Sequence, residues 1–198
     1  DSMFRDSKMT FLDLSSFDTS KVTSMGWMFA GANIKKINLN NFDTSKVTDM
    51  GNMFRESKCE VIDLSGFNTS NLTSMSQMFF LSTVSEIKGL ESFDTTKITD
   101  MHQLFYKNNV TTLDLSSFDT SNVTNMSGMF QSMRNLTTIY ASDKFNVNNV
   151  TKSENMFWAS NKIVGGAGTV FDSNNIDKTY ARVDGGTEAP GYFTLKSN

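Results

Sequence analysis

The chain has 198 residues, with 18 Lys and Arg against 21 Asp and Glu and a single Cys, a near-neutral, mildly acidic composition of one or at most two domains. It has no basic excess to follow a phosphate backbone, no apolar run of roughly 18 residues to cross a bilayer, and too few cysteines for a disulfide scaffold, so neither nucleic-acid binding nor membrane insertion is expected. Seventeen Phe and 13 Met beside one Pro point to an apolar core built from a few residue types used again and again.

From the N-terminus, the first element is the pair Met3-Phe4. It recurs as Met28-Phe29, Met53-Phe54, Met78-Phe79, Met129-Phe130 and Met156-Phe157, with Leu104-Phe105 in the remaining place. An alternating apolar pattern follows, as Met9, Leu12, Leu14, Phe17, and again as Ile34, Ile37, Leu39, Phe42, as Cys59, Ile62, Leu64, Phe67, and as Val110, Leu113, Leu115, Phe118. Its period of two predicts a strand. The copies at Val84, Ile87, Leu90, Phe93 and at Leu136, Ile139, Ala141, Phe145 carry one extra residue each, expected to form bulges or loop insertions. The closing phenylalanines are spaced by 25, 25, 26, 25 and 27 residues, the mark of a repeat protein.

The second half of the unit reads DTSKVTSMGWMF from Asp18 to Phe29. Val22, Met25 and Phe29 fall at i, i+3 and i+7, and Asp18, Thr19 and Ser20 offer oxygens to free amides, so a short helix is predicted. Strand and helix alternating at this length imply an α/β repeat wound as a right-handed solenoid, with a parallel sheet on the concave face and short helices on the convex face. The array is expected over residues 1–157. Residues 158–198 lack the pair element and are expected to cap it, with a hairpin between Tyr180–Val183 and Tyr192–Leu195 covering the open sheet edge.

The pattern L-x-x-L-x-L-x-x-F, joined to units such as LDLSSFDTSKVTSMGWMF (Leu12 to Phe29) and LDLSSFDTSNVTNMSGMF (Leu113 to Phe130), resembles the 26-residue repeat of BspA-like leucine-rich repeat surface proteins. The tail YARVDGGTEAPGYFT (Tyr180 to Thr194) resembles the segment that closes such arrays. The resemblance implies a bacterial protein, secreted or on the cell surface, that acts in adhesion or interaction and not as an enzyme. It implies no catalytic residue and no cofactor. Because the sequence opens inside a unit, it is expected to be part of a longer protein whose signal peptide and anchor lie elsewhere.

The ligand-binding positions are expected on the strand face, where side chains pointing away from the core are free to vary: Phe11, Asp13, Lys36, Asn38, Val61, Asp63, Glu86, Lys88, Thr112, Asp114, Thr138 and Tyr140. A host or matrix protein or a glycan is the expected partner; a spacer stalk displaying another domain is the alternative, and a glycan hydrolase a third. Asp18, Asp43, Asp94 and Asp119, with Asn68 and Asn146 in the same column, read as caps or Asx turns in preference to a calcium ladder, and no metal is expected. Thr19, Thr44, Thr69, Thr95 and Thr120 read as hydroxyls bonding to neighbouring turns in preference to an array for ice or polysaccharide. Cys59 stands in an apolar column and reads as buried, the methionines read as core, and His102 has no recurring partner for a triad or a zinc site. The sequons at Asn71, Asn122 and Asn149 read as by-products of repetition.

Overall fold

Each copy of the alternating pattern places two to four residues in extended conformation. In the computed structural model, which describes residues 1–196, these are β1 (Phe11–Leu12), β2 (Lys36–Ile37), β3 (Val61–Asp63), β4 (Glu86–Lys88), β5 (Thr112–Leu115) and β6 (Thr138–Ala141), with β7 (Thr194–Leu195) near the C-terminus. Every strand pair is parallel, and the first three follow the repeat: Leu12 faces Ile37, Ile62 faces Ile87 and Leu113 faces Ile139. Ile62, Leu113 and Ile139 are buried while the residues flanking them point outward, as the pleat dictates.

The strands do not join into one sheet. They form β1-β2, β3-β4 and β5-β6-β7. The break after β4 coincides with the extra residue of that unit, where Gly89 adopts a φ of 88° and a 3-10 turn follows at Leu90–Ser92. A Cβ on Gly89 would stand 2.4 Å from the Ser65 nitrogen, so the crossing admits only glycine.

The second half of the unit overturns the α/β solenoid expected from the sequence. Among the described residues there is no α-helix, and the chain is mostly turns and irregular segments between short parallel strand pairs. The amides of Met28, Ala30 and Ala32 donate to carbonyls three residues back, whereas those of Met25, Trp27, Phe29 and Gly31 donate to Asp49, Gly51, Met53 and Arg55 of the next unit. Trp27 and Gly31 have φ of 61° and 64°. The same two positions are left-handed in every copy, at Ser2 and Asp6, Asn52 and Glu56, Gln77 and Leu81, Gln103 and Lys107, Gly128 and Ser132, and Asn155 and Ala159. An α-helix would send every amide four residues back along its own axis. Here alternate amides tie one unit to the next, and the left-handed residues forbid a helix between them.

Stacking of the units buries Met25, Met50, Met75, Met101 and Met126, and aligns seven rings, Phe4, Phe29, Phe54, Phe79, Phe105, Phe130 and Phe157. Successive centroids lie 5.4 to 5.9 Å apart with the planes within 15°. The row ends on Tyr192, whose ring meets Phe157 at 5.0 Å and 77°, and on Phe193, which meets the same ring at 6.1 Å and 61°. Edge-to-face contacts of this kind turn a stack that could continue into one that stops.

In the C-terminal segment, β7 pairs with β6 and extends its sheet. The runs expected to form a hairpin meet through a parallel bridge between Val183 and Phe193, and an antiparallel bridge joins Val164 to Val170. The last two positions of the segment expected at 158–198 lie outside the described residues. Asp184 organises the loops: its carboxylate accepts the amides of Ala167 and Thr169 at 2.9 Å, the Thr169 hydroxyl at 2.7 Å and the Gly186 amide at 3.0 Å. Burial alone would raise its pKa, but the hydroxyl and amide of Thr169 and the Gly186 and Ala167 amides outweigh it and hold the carboxyl down to about 2.

Candidate interaction surface

By their place in the repeat, the outward residues in and just after the strands fall in two ranks, and parallel pairing sets neighbours side by side within each sheet. Phe11, Lys36, Val61, Glu86, Thr112 and Thr138 form one, and Asp13, Asn38, Asp63, Lys88, Asp114 and Tyr140 the other, with Phe11 beside Lys36, Val61 beside Glu86, Asp63 beside Lys88 and Asp114 beside Tyr140. The first nine in chain order, through Thr112, are exposed; Asp114, Thr138 and Tyr140 are half-buried. Phe11 and Val61 keep 72% and 40% of their surface open to water, a large apolar exposure on an otherwise polar face.

At the seam between β2 and β3 lies a groove of about 230 Å³, lined by Lys35, Lys36, Ile37, Glu60, Val61 and Asp63. Two of these, Lys35 and Glu60, stand one residue before the strand ranks and form an ion pair at 3.8 Å. Extending the register of the repeat by one position would have found them. Across the neighbouring pair, Glu86 and Lys88 lie 3.7 Å apart, so Val61 is an apolar point ringed by charges of both signs.

The central carboxylates have local partners. Oδ1 of Asp13, Asp63 and Asp114 accepts the amide of Ser15, Ser65 and Ser116 at 2.9, 3.0 and 3.1 Å, and Asn38 accepts that of Asn40 at 3.0 Å. These are Asx turns that bend the chain out of each strand. The serine amides and hydroxyls lower the pKa of Asp13 and of Asp63. Asp114 is also paired with Lys196, whose ammonium lies 5.6 Å from the Tyr140 ring centroid. For Asp114, burial pulls upward, and Lys196 with Ser116 brings the carboxyl down. The far end of the face is thus occupied by the chain's own C-terminal segment, a contact 82 residues apart in sequence that no local pattern announces.

The other columns are structural. Asp18, Asp43, Asn68, Asp94, Asp119 and Asn146 each accept the amide two residues on. The threonines Thr19, Thr44, Thr69, Thr95 and Thr120 are buried and bond to the backbone of adjacent units. Cys59 is buried, which pushes its thiol up to about 11. His102 does have a carboxylate partner, Asp100, whose Oδ1 lies 2.9 Å from Nδ1 and whose Oδ2 accepts Asn125 Nδ2 at 3.1 Å. The sequon amides of Asn71, Asn122 and Asn149 donate to Ser45, Thr96 and Ser121 carbonyls in the preceding unit. Among the described residues, no group of three or more His, Cys, Asp or Glu could hold a metal ion, and no helix is long and apolar enough to cross a membrane.

Residues 1–85 and 80–185 match the model of a family described as "Mycoplasma protein of unknown function, DUF285". No curated protein and no solved structure matches the chain.

Proposed function

The chain belongs to the DUF285 family, and from that premise we propose that it is a non-catalytic adhesion or interaction module of a bacterial cell surface, engaging a host or matrix protein or a glycan through the strand face. The resemblance of its units to BspA-like repeats supports a surface or secreted location. The observation that carries the reading is Val61, an exposed apolar side chain over the β2–β3 groove and within a ring of Lys36, Glu60, Asp63 and Glu86. An apolar anchor that a partner can desolvate, set within a polar rim, is the usual anatomy of a binding hot spot.

A panel of mucins, matrix proteins and glycans presented to the purified chain tests this. Saturable binding lost by Val61→Asp and weakened by Lys36→Glu is expected. Binding that survives both substitutions would move the site off this face. A second reading, a spacer that displays another domain, draws on the Asx turns of Asp13, Asp63 and Asp114, which give those carboxylates a structural task. A folded chain that binds nothing in the panel favours it.

A further inference from the structure

Across β1 to β4, the first outward row reads Phe11, Lys36, Val61, Glu86. Phe11 lies beside Lys36 and Val61 beside Glu86 in register, and Lys36 and Val61 belong to the two walls of the groove where β2 and β3 are not joined in one sheet. The order is apolar, cation, apolar, anion, and all four side chains are exposed. Lys35 pairs with Glu60 and Lys88 with Glu86. Among the described residues Lys36 enters no ion pair, so it stands as a cation without an anion of its own between two exposed apolar side chains.

That order selects an occupant. A neutral glycan seated over Phe11 and Val61 strips water from Lys36 and Glu86 and returns hydrogen bonds but no countercharge. A polyanionic glycan satisfies Lys36 and sets its repeated charge against Glu60, Asp63 and Glu86. A polypeptide carries apolar, anionic and cationic side chains within a few residues of one another.

Taking the strand face as the interaction surface, on which this inference rests, we propose that the row is occupied by a polypeptide segment that sets an Asp or Glu carboxylate against Lys36. One apolar side chain of the segment lies over Phe11, a second enters the groove beside Val61, and a Lys or Arg is directed toward Glu86. The groove, about 230 Å³, has room for a leucine or phenylalanine side chain. The apolar pair supplies most of the affinity, and Lys36 supplies the choice of partner.

Random peptides displayed on phage, selected on the purified chain and counter-selected on the Val61→Asp variant, test this beside an array of neutral and anionic glycans. Enriched peptides are expected to carry Asp or Glu flanked by apolar residues and, as synthetic peptides, to bind Lys36→Glu at least about tenfold more weakly than the native chain. Replacing the carboxylate of the peptide with Lys restores binding to Lys36→Glu and weakens binding to the native chain, a reversal that a merely damaged surface does not give. The melting transition of each variant shows that it is folded. No enrichment over the counter-selection, enriched peptides without the acidic residue, or affinities indifferent to Lys36→Glu overturn the proposal. A glycan that binds the native chain and is lost with Val61→Asp overturns it too, but leaves the strand face as the interaction surface. Peptides and glycans that bind Phe11→Ser/Val61→Asp as well as the native chain overturn both.

Discussion

The hydroxyl of Thr120 donates to the carbonyl of Asn146 at 2.6 Å and accepts the amide of the same residue at 2.8 Å. Thr44 clasps Asn68 in the same way, at 3.0 and 2.8 Å. One buried hydroxyl therefore satisfies both backbone groups of a residue in the next unit. Thr44→Val keeps the shape of the side chain and strands the part-buried amide and carbonyl of Asn68. We expect a loss of roughly 2–3 kcal/mol, measured by urea denaturation, with no change in the exposed strand face.

The left-handed positions predict a gain. Lys107 and Ala159 hold φ of 54° and 61°, a conformation that costs a side chain about 1–2 kcal/mol and glycine almost nothing. After the added freedom of glycine in the unfolded chain is subtracted, Lys107→Gly and Ala159→Gly should each stabilise the protein by about 0.5–1 kcal/mol. Gly89→Ala is the opposite case. It adds a Cβ 2.4 Å from the Ser65 backbone nitrogen and is expected to cost about 3 kcal/mol or more, visible as a lowered melting temperature.

Strong acid should loosen the C-terminal segment. The folded pKa of Asp184, about 2, lies below the unfolded value near 3.8, so its contribution is fully present above pH 4 and is lost as the pH falls through 2. Asp184→Asn places an amide donor among the Ala167, Thr169 and Gly186 donors and should cost roughly 2–3 kcal/mol at neutral pH. The difference between native and variant proteins should hold from pH 7 to about pH 4 and narrow as the pH falls from there through 2. A gap that stays constant from pH 7 to pH 2 would show that the carboxylate charge is not what holds these loops.

Phe193 is fully buried against Phe130, Phe145 and Phe157. Phe193→Ala removes the edge-on ring at the end of the stack and is expected to cost about 3–5 kcal/mol. Hydrogen exchange locates the damage: amides of the last unit, such as Phe157 and Trp158, should lose protection before those of Phe54 or Phe79.

The columns of Phe, Met and Val were legible because burial at a fixed spacing keeps apolar side chains in place, and the structure buries Phe29, Phe54, Phe79, Phe105, Phe130 and Phe157 alike. The threonine column ends at Thr120, which makes the final clasp on Asn146, and Val147 stands in its place in the last unit. The turns were not legible. Val22, Met25 and Phe29 show the same face whether the chain coils as a helix or bends every three residues, and the difference lies in left-handed residues that include Gln77, Leu81 and Lys107, types with no preference for that conformation. On the candidate surface, the ranks from Phe11 to Tyr140 followed from alternation, while the pairing of Asp114 with Lys196 joins segments 82 residues apart. The Ala167 and Thr169 donors to Asp184 come from a loop 15 to 17 residues before it, without any repeat to reveal them.

The amides of Met25, Trp27, Phe29 and Gly31 reach only the adjoining unit, which fixes how the molecule bears tension. Pulled by its ends, it loads the bonds of one junction at a time, as a zipper does, and never all junctions in shear. Each unit of about 25 residues that lets go releases roughly 80–90 Å of chain. A body tethered through this protein would meet a series of small yields, each lengthening the tether before the next unit takes the strain.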